Sequence, residues 1–141
     1  MKRCFRERFR GKKILVTGHT GFKGSWLSIW LTELGAEVIG YSLEPPTNPS
    51  NFDLCHLQNR MTHIVGDVCD QQKLDAVFAQ YKPEIVFHLA AQPIVLASYQ
   101  DPHETFRTNV MGTACVLDAI RKAGGVNAFV GVTSDKVYKD Q

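Results

Sequence analysis

Ile14-Leu15-Val16-Thr17-Gly18-His19-Thr20-Gly21-Phe22-Lys23-Gly24-Ser25-Trp26-Leu27 is the stretch on which the reading of this chain turns. An apolar run ends at a threonine, three glycines follow at three-residue steps, and an apolar helical pattern begins. A nucleotide pyrophosphate needs that order: a strand stops, the backbone turns tightly, and a helix opens with unpaired amides. Gly18 permits the turn, Gly21 lets the backbone approach a phosphate, and Gly24 lets the helix lie close on the strand. A plain strand–turn–helix corner accounts for one of these glycines but not for all three. The stretch is read as a dinucleotide cradle.

Outward from the cradle, Lys13–Thr17 is a short apolar strand of the kind buried on both faces of a parallel sheet. The spacing predicts a helix over Phe22–Leu34, ended by Gly35, with Trp26 and Trp30 one turn apart in the core. Glu37–Ser42 is a second strand. Leu43-Glu44-Pro45-Pro46-Thr47-Asn48-Pro49-Ser50-Asn51 carries three prolines in nine residues, so it is a loop, read as one lying over a ligand. Thr62–Val65 is a third strand, and a helix over Gln71–Tyr81 follows with Asp70 as its N-cap.

Glu84–Leu89 is the fourth strand. A long helical stretch comes next, broken near Asp101-Pro102 and stopped by Gly124-Gly125. On it Phe106, Val110, Thr113, Leu117 and Ile120 share one face, which is expected to point inward. Ala128–Val132 is the fifth strand. The alternation predicts an α/β fold: a doubly wound parallel sheet of about five strands over 13–141, with right-handed crossovers. A basic arm over 1–12 precedes it, with Phe5 and Phe9 packing back on the domain.

The 141 residues suit one domain, and 44% hydrophobic with 21% charged content is that of an ordinary globular protein. A net charge of +2 is too small to imply a nucleic-acid or membrane partner. The four cysteines, Cys4, Cys55, Cys69 and Cys115, have no metal-ligand spacing, so no metal is expected. They read as reduced thiols of a cytoplasmic protein, Cys115 on a helix.

In a parallel sheet ligands bind outside the carboxyl ends of the strands. That gathers Gly18–Gly24, Ser42, Asp67-Val68, Leu89-Ala90-Ala91 and Thr133–Lys136 around one crevice. Ser42 stands where a carboxylate usually holds an adenosine ribose, so the choice between NAD and NADP stays open on physics alone. Asp67 is either an adenine contact or a turn residue, and His19 either a phosphate contact or a turn residue. Lys23 opposes the dipole of the helix it opens, which favours a role facing an anion or solvent. Small residues at Ala90 and Ala91 let a flat ring approach, whereas His88, inside the strand, reads as a satisfied core histidine. Asn109 is placed to tie neighbouring strand ends through its amide. Thr133-Ser134-Asp135-Lys136 is either a proton-transfer cluster or a surface charge pair beside a capping serine.

The segments Gly18-His19-Thr20-Gly21-Phe22-Lys23-Gly24-Ser25-Trp26-Leu27, Pro45-Pro46-Thr47-Asn48-Pro49-Ser50, His88-Leu89-Ala90-Ala91-Gln92-Pro93, Thr108-Asn109-Val110-Met111-Gly112-Thr113 and Val132-Thr133-Ser134-Asp135-Lys136 resemble the extended short-chain dehydrogenase/reductase family. Within it they are most similar to the CDP-glucose 4,6-dehydratases. The resemblance implies a Rossmann-type fold, NAD as cofactor, and contacts to it from Gly18, His19, Thr20, Gly21, Phe22, Lys23, Gly24, Ser42, Asp67, Val68, Leu89, Ala90, Ala91, Asn109 and Thr133. It implies a lyase reaction on CDP-glucose: hydride abstraction from carbon 4, elimination of water across carbons 5 and 6, and return of the hydride to carbon 6. Ser134, Asp135 and Lys136 then match the catalytic hydroxyl, acid and base. Lys136 departs from the commoner glutamate, serving as a neutral base or as a cation beside an enolate.

No Tyr-x-x-x-Lys pair of that family occurs in the 141 residues. The expectation is an N-terminal, cofactor-binding part of a longer enzyme, inactive by itself and homodimeric when complete, with the Thr105–Lys122 helix resembling the pairing element. The alternatives are an epimerase or reductase of the same superfamily, and a non-catalytic NAD-binding module.

Overall fold

The computed structural model describes residues 2–134. Its strands are β1 (Lys13–Thr17), β2 (Glu37–Ser42), β3 (Thr62–Val65), β4 (Ile85–His88) and β5 (Ala128–Gly131). They form one sheet in the order β3-β2-β1-β4-β5, parallel throughout, with Ile14 in register with Val38 on one side and Ile85 on the other. The helices are α1 (Lys2–Phe9), α2 (Phe22–Glu33), α3 (Asn51–Leu54), α4 (Gln71–Tyr81), α5 (Val95–Gln100), α6 (Pro102–Phe106) and α7 (Thr113–Ala123). A 3₁₀ turn spans Leu57–Asn59 and a π-helical turn Arg107–Gly112.

Alternation along β1 sends successive side chains to opposite faces, so a central strand must be apolar on both. Leu15 joins Ile39, Tyr41, Val86, Leu74, Phe78, Val116 and Ala119 on the side of α4 and α7. Ile14 and Val16 join Val38 and Leu31 on the side of α2. Each fully buried Leu, Ile or Val among them contributes about 1.5–3 kcal/mol. The α/β sheet expected from the alternation is therefore present, and the first three strands and α4 keep their expected bounds. Asp70 caps α4, its carboxylate accepting from the Lys73 amide at 3.0 Å. Gly35 and Gly124 end α2 and α7 with φ of +85° and +61°.

Two packing expectations are corrected. Trp26 and Trp30 are 53% and 54% exposed, not core. The buried side of α2 is instead Gly24, Ser25, Ser28 and Leu31, small residues that let the helix lie close on the sheet. The Ser28 hydroxyl donates to the Gly24 carbonyl at 2.8 Å, which satisfies it without a partner outside the helix. The second correction concerns the long helical stretch: Ile120 packs on the Leu15 cluster and Thr113 meets His88 as expected, but Phe106, Val110 and Leu117 are exposed and Val116 and Ala119 are buried. A π turn inserts an extra residue, and each added residue rotates the following face by about 100°.

The basic segment before β1 is helical as α1, and Phe9 packs against the Ile14–Leu31 cluster. The Gly11 amide donates to the Gly35 carbonyl at 2.8 Å, tying this segment to the end of α2. The proline-rich loop runs into α3, whose N-cap Ser50 accepts from the Asp53 amide at 3.1 Å. Neither α3 nor the 3₁₀ turn was expected from the sequence.

Candidate functional site

All strands run parallel, so their carboxyl ends share one edge of the sheet. The chain builds outward from β1 to β3, then returns to place β4 on the other side of β1. That reversal between β1 and β4 is the topological switch point, where such sheets bind ligands. Gly18 sits there with φ +74°, and a Cβ on it would lie 2.7 Å from the Ala90 amide nitrogen. At Gly24 a Cβ would lie 2.0 Å from the Gly18 carbonyl oxygen. Both glycines are demanded by the fold itself.

Gly21 is different. Its φ of −73° suits any residue, and the nearest atom to an added Cβ is the Gly18 carbonyl oxygen at 3.4 Å, an ordinary contact. It is the N-cap of α2, has no side chain to cap the helix, and no acidic residue follows in the first turn. The first-turn amides of an uncapped helix are donors suited to an anion. A pyrophosphate fits this combination of bare N-cap and donors.

Beneath the turn, a buried network fixes the ends of β1 and β4. The Thr113 hydroxyl donates to the Asn109 carbonyl at 2.7 Å, so its contact with His88 Nε2 at 2.9 Å makes Nε2 the protonated nitrogen. His88 Nδ1 is then the acceptor for the Thr17 hydroxyl at 2.7 Å. The Thr17 oxygen in turn accepts from the Leu89 and Ala90 amides, each at 3.2 Å. His88 is the satisfied core histidine expected from its place in the strand, and burial pushes its pKa down.

The other sequence-selected residues fall as follows. Thr20 is buried and its hydroxyl donates to the Leu43 carbonyl at 2.9 Å; the Ser42 hydroxyl donates to the Thr20 hydroxyl oxygen at 2.8 Å, closing the end of β2. Phe22 and Lys23 are exposed at the start of α2. His19 turns inward: its ring is fully buried, with Nε2 2.7 Å from Nδ1 of His63 and its edge toward Phe52. Burial, and then the charge of His63, lower its pKa to about 3.

Asp67 and Val68 follow β3, Val68 buried and Asp67 half-buried. Burial raises the Asp67 pKa, but the Cys69 amide and the Arg107 guanidinium outweigh it and hold the carboxyl below its usual value. Leu89 and Ala90 are half-buried at the switch point and Ala91 is exposed. Asn109 clamps Gln92, accepting from its amide at 2.8 Å and donating to its carbonyl at 3.1 Å, which ties the β4 end to the π turn. Thr133 and Ser134 are exposed just past β5, after Val132, whose amide donates to the His88 carbonyl at 2.9 Å. Asp135 and Lys136 lie outside the described residues. Arg107 was not singled out from the sequence, because its partner Asp67 stands 40 positions away.

With this geometry in place, the model of the GDP-mannose 4,6 dehydratase family matches residues 15–140. The chain belongs to that family. Among proteins similar to this GDP-mannose 4,6 dehydratase family chain is the CDP-glucose 4,6-dehydratase of Salmonella typhimurium, 53% identical over 94% of this chain and 37% of that protein. A UDP-glucose-4-epimerase from Stenotrophomonas maltophila, solved with bound NAD and formylated UDP-arabinopyranose, superposes with a TM-score of 0.81 at 25% identity, over 92% of this chain and 39% of its own. An epimerase from Methanothermobacter thermautotrophicus gives 0.80 at 29% identity, over 96% and 39%. The chain thus spans well under half the length of the family relatives it matches.

Proposed function

We propose that this chain is the cofactor-binding part of an NAD-dependent sugar-nucleotide 4,6-dehydratase that converts CDP-glucose to its 4-keto-6-deoxy product. The 53% identity to the Salmonella CDP-glucose 4,6-dehydratase carries the reading of reaction and substrate. The bare N-cap at Gly21, over uncapped amides at the switch point, supports the dinucleotide. When bound, NAD supplies a hydride acceptor that returns what it takes.

The chain's own residues bind the cofactor and supply part of the catalytic set. The amides at the start of α2 hold the pyrophosphate, and the Thr17–His88–Thr113 network keeps the Gly18 and Ala90 backbones at fixed separation beside it. Ser134 orients the carbon-4 oxygen of the sugar, Asp135 protonates the departing hydroxyl, and Lys136 serves the carbon-5 proton. The exposed apolar side chains Val95, Leu96, Tyr99, Phe106, Val110 and Met111 support a homodimer formed through α5 to α7. No helix among the described residues is long and apolar enough to cross a membrane, and the proposed location is the cytoplasm.

Incubation of the complete gene product with CDP-glucose and NAD tests this reading. The expected result is a 4-keto sugar nucleotide lighter by one water. The epimerase structures favour a second reading, in which the product keeps the substrate's mass and differs in configuration. An equal-mass product selects that reading, and no turnover of CDP-glucose rejects the substrate.

A further inference from the structure

We propose that Arg107 is a positioning residue: it sets the Asp67 carboxylate to recognise the adenine amino group of a bound dinucleotide, and so sets selectivity at the adenine end. This rests on the dinucleotide reading above and deepens it.

Both oxygens of Asp67 are already oriented before any ligand arrives. Oδ1 accepts from the Cys69 amide at 2.8 Å, and Oδ2 accepts from Arg107 Nη2 at 2.5 Å. The two donors come from different elements, one on the loop after β3 and one at the start of the π turn. Together they fix the plane of the carboxylate. The backbone is pinned as well, because the Tyr41 hydroxyl donates to the Asp67 carbonyl at 2.8 Å.

Arg107 is itself held. Its Nη1 donates to both oxygens of Glu104, at 2.9 and 3.2 Å, and its carbonyl accepts from the Cys69 thiol at 3.2 Å. An exposed ion pair contributes little to stability. Convergence of this many contacts on one carboxylate at the ligand-binding edge serves orientation instead, and an oriented acceptor loses less freedom when a ligand binds. The side chains of Arg107 and Asp67 remain 39% and 33% exposed. Each carboxylate oxygen keeps a second lone-pair direction, enough to accept from an exocyclic amine.

The probe is nicotinamide hypoxanthine dinucleotide, which carries an oxygen where NAD carries the adenine amino group. NAD and this analogue are titrated into the chain and into R107A, R107K and D67N, with thermal melts of each protein. The wild-type chain is expected to prefer NAD by roughly tenfold or more, since a carboxylate facing an oxygen has lost its donor. In R107A the NAD affinity should fall about tenfold while the analogue's changes less than about twofold, so that the preference disappears. R107K, which returns the charge, should restore part of it, and D67N should abolish it. Equal weakening of both dinucleotides in R107A overturns the proposal, as does a wild type that binds NAD without preference. Should R107A fail to fold, R107K and D67N decide: an undiminished preference in both overturns it. A wild type that binds neither dinucleotide rejects the cofactor reading itself.

Discussion

The hydroxyl of Thr17 donates to Nδ1 of His88 across 2.7 Å, joining the carboxyl ends of two neighbouring parallel strands at the point where a ligand is to sit. Both residues are buried, and the threonine oxygen also receives the Leu89 and Ala90 amides. Thr17→Val keeps the shape and removes the partner of His88 Nδ1 and of the Ala90 amide, while the Leu89 amide keeps the Thr17 backbone carbonyl at 3.2 Å. An unsatisfied buried polar group costs about 1–3 kcal/mol, so urea unfolding should show a loss of about 2–4 kcal/mol. Thr17→Ser should recover most of it.

Acid should destabilise the fold through His19. Its pKa is about 3 when folded against 6.5 as the ordinary value, because burial and then the charge of His63 oppose protonation. Between those two pH values the unfolded chain binds a proton that the folded chain refuses, so stability falls as pH falls. The slope from this one group approaches about 1.4 kcal/mol per pH unit. His88, also lowered by burial, acts in the same direction. Unfolding measured from pH 7 to pH 4 should show this loss, and His19→Leu should flatten the slope.

The phase of α7 gives a packing test. Val116 is fully buried and Leu117 is 45% exposed. Val116→Ala should cost about 1–3 kcal/mol, whereas Leu117→Ala should change stability by less than about 0.5 kcal/mol. Thermal melts of the two variants decide it, and a reversed order would restore the face read from the sequence.

The glycine turn separates fold from ligand. Gly24→Ala places a Cβ 2.0 Å from the Gly18 carbonyl oxygen, where backbone must move. Overpacking of this kind costs about 1–3 kcal/mol or more, and the variant should be less stable in urea unfolding.

How far the sequence could be read follows from the range of each interaction. The strands and α4 were legible because alternation, capping by Asp70 and the stops at Gly35 and Gly124 are local signals. The face of α7 was legible only in part: Thr113 and Ile120 point inward, but Val116 takes the place read for Leu117, because the π turn over Arg107–Gly112 shifts the phase and leaves no residue type that announces it. In α2 the tryptophans drew attention, yet the informative signal was the small-residue face of Gly24, Ser25 and Ser28, which marks close packing on the sheet. At the site, the three glycines were legible as a group, but only the contacts separate the two that the fold requires from Gly21. The bond from Arg107 to Asp67 and that from Thr17 to His88 join residues 40 and 71 positions apart, which no local pattern records.

The central claim is that the start of α2 holds a dinucleotide pyrophosphate, and Gly21 tests it most directly. Calorimetric titration of NAD into the chain and into Gly21→Ala, with urea unfolding of both, is the measurement. The account predicts that the substitution changes stability by less than about 1 kcal/mol, since the added Cβ meets the Gly18 carbonyl oxygen at 3.4 Å, and weakens NAD binding about tenfold or more. A wild-type chain that does not bind NAD, or a Gly21→Ala variant that binds it equally well, would contradict the account.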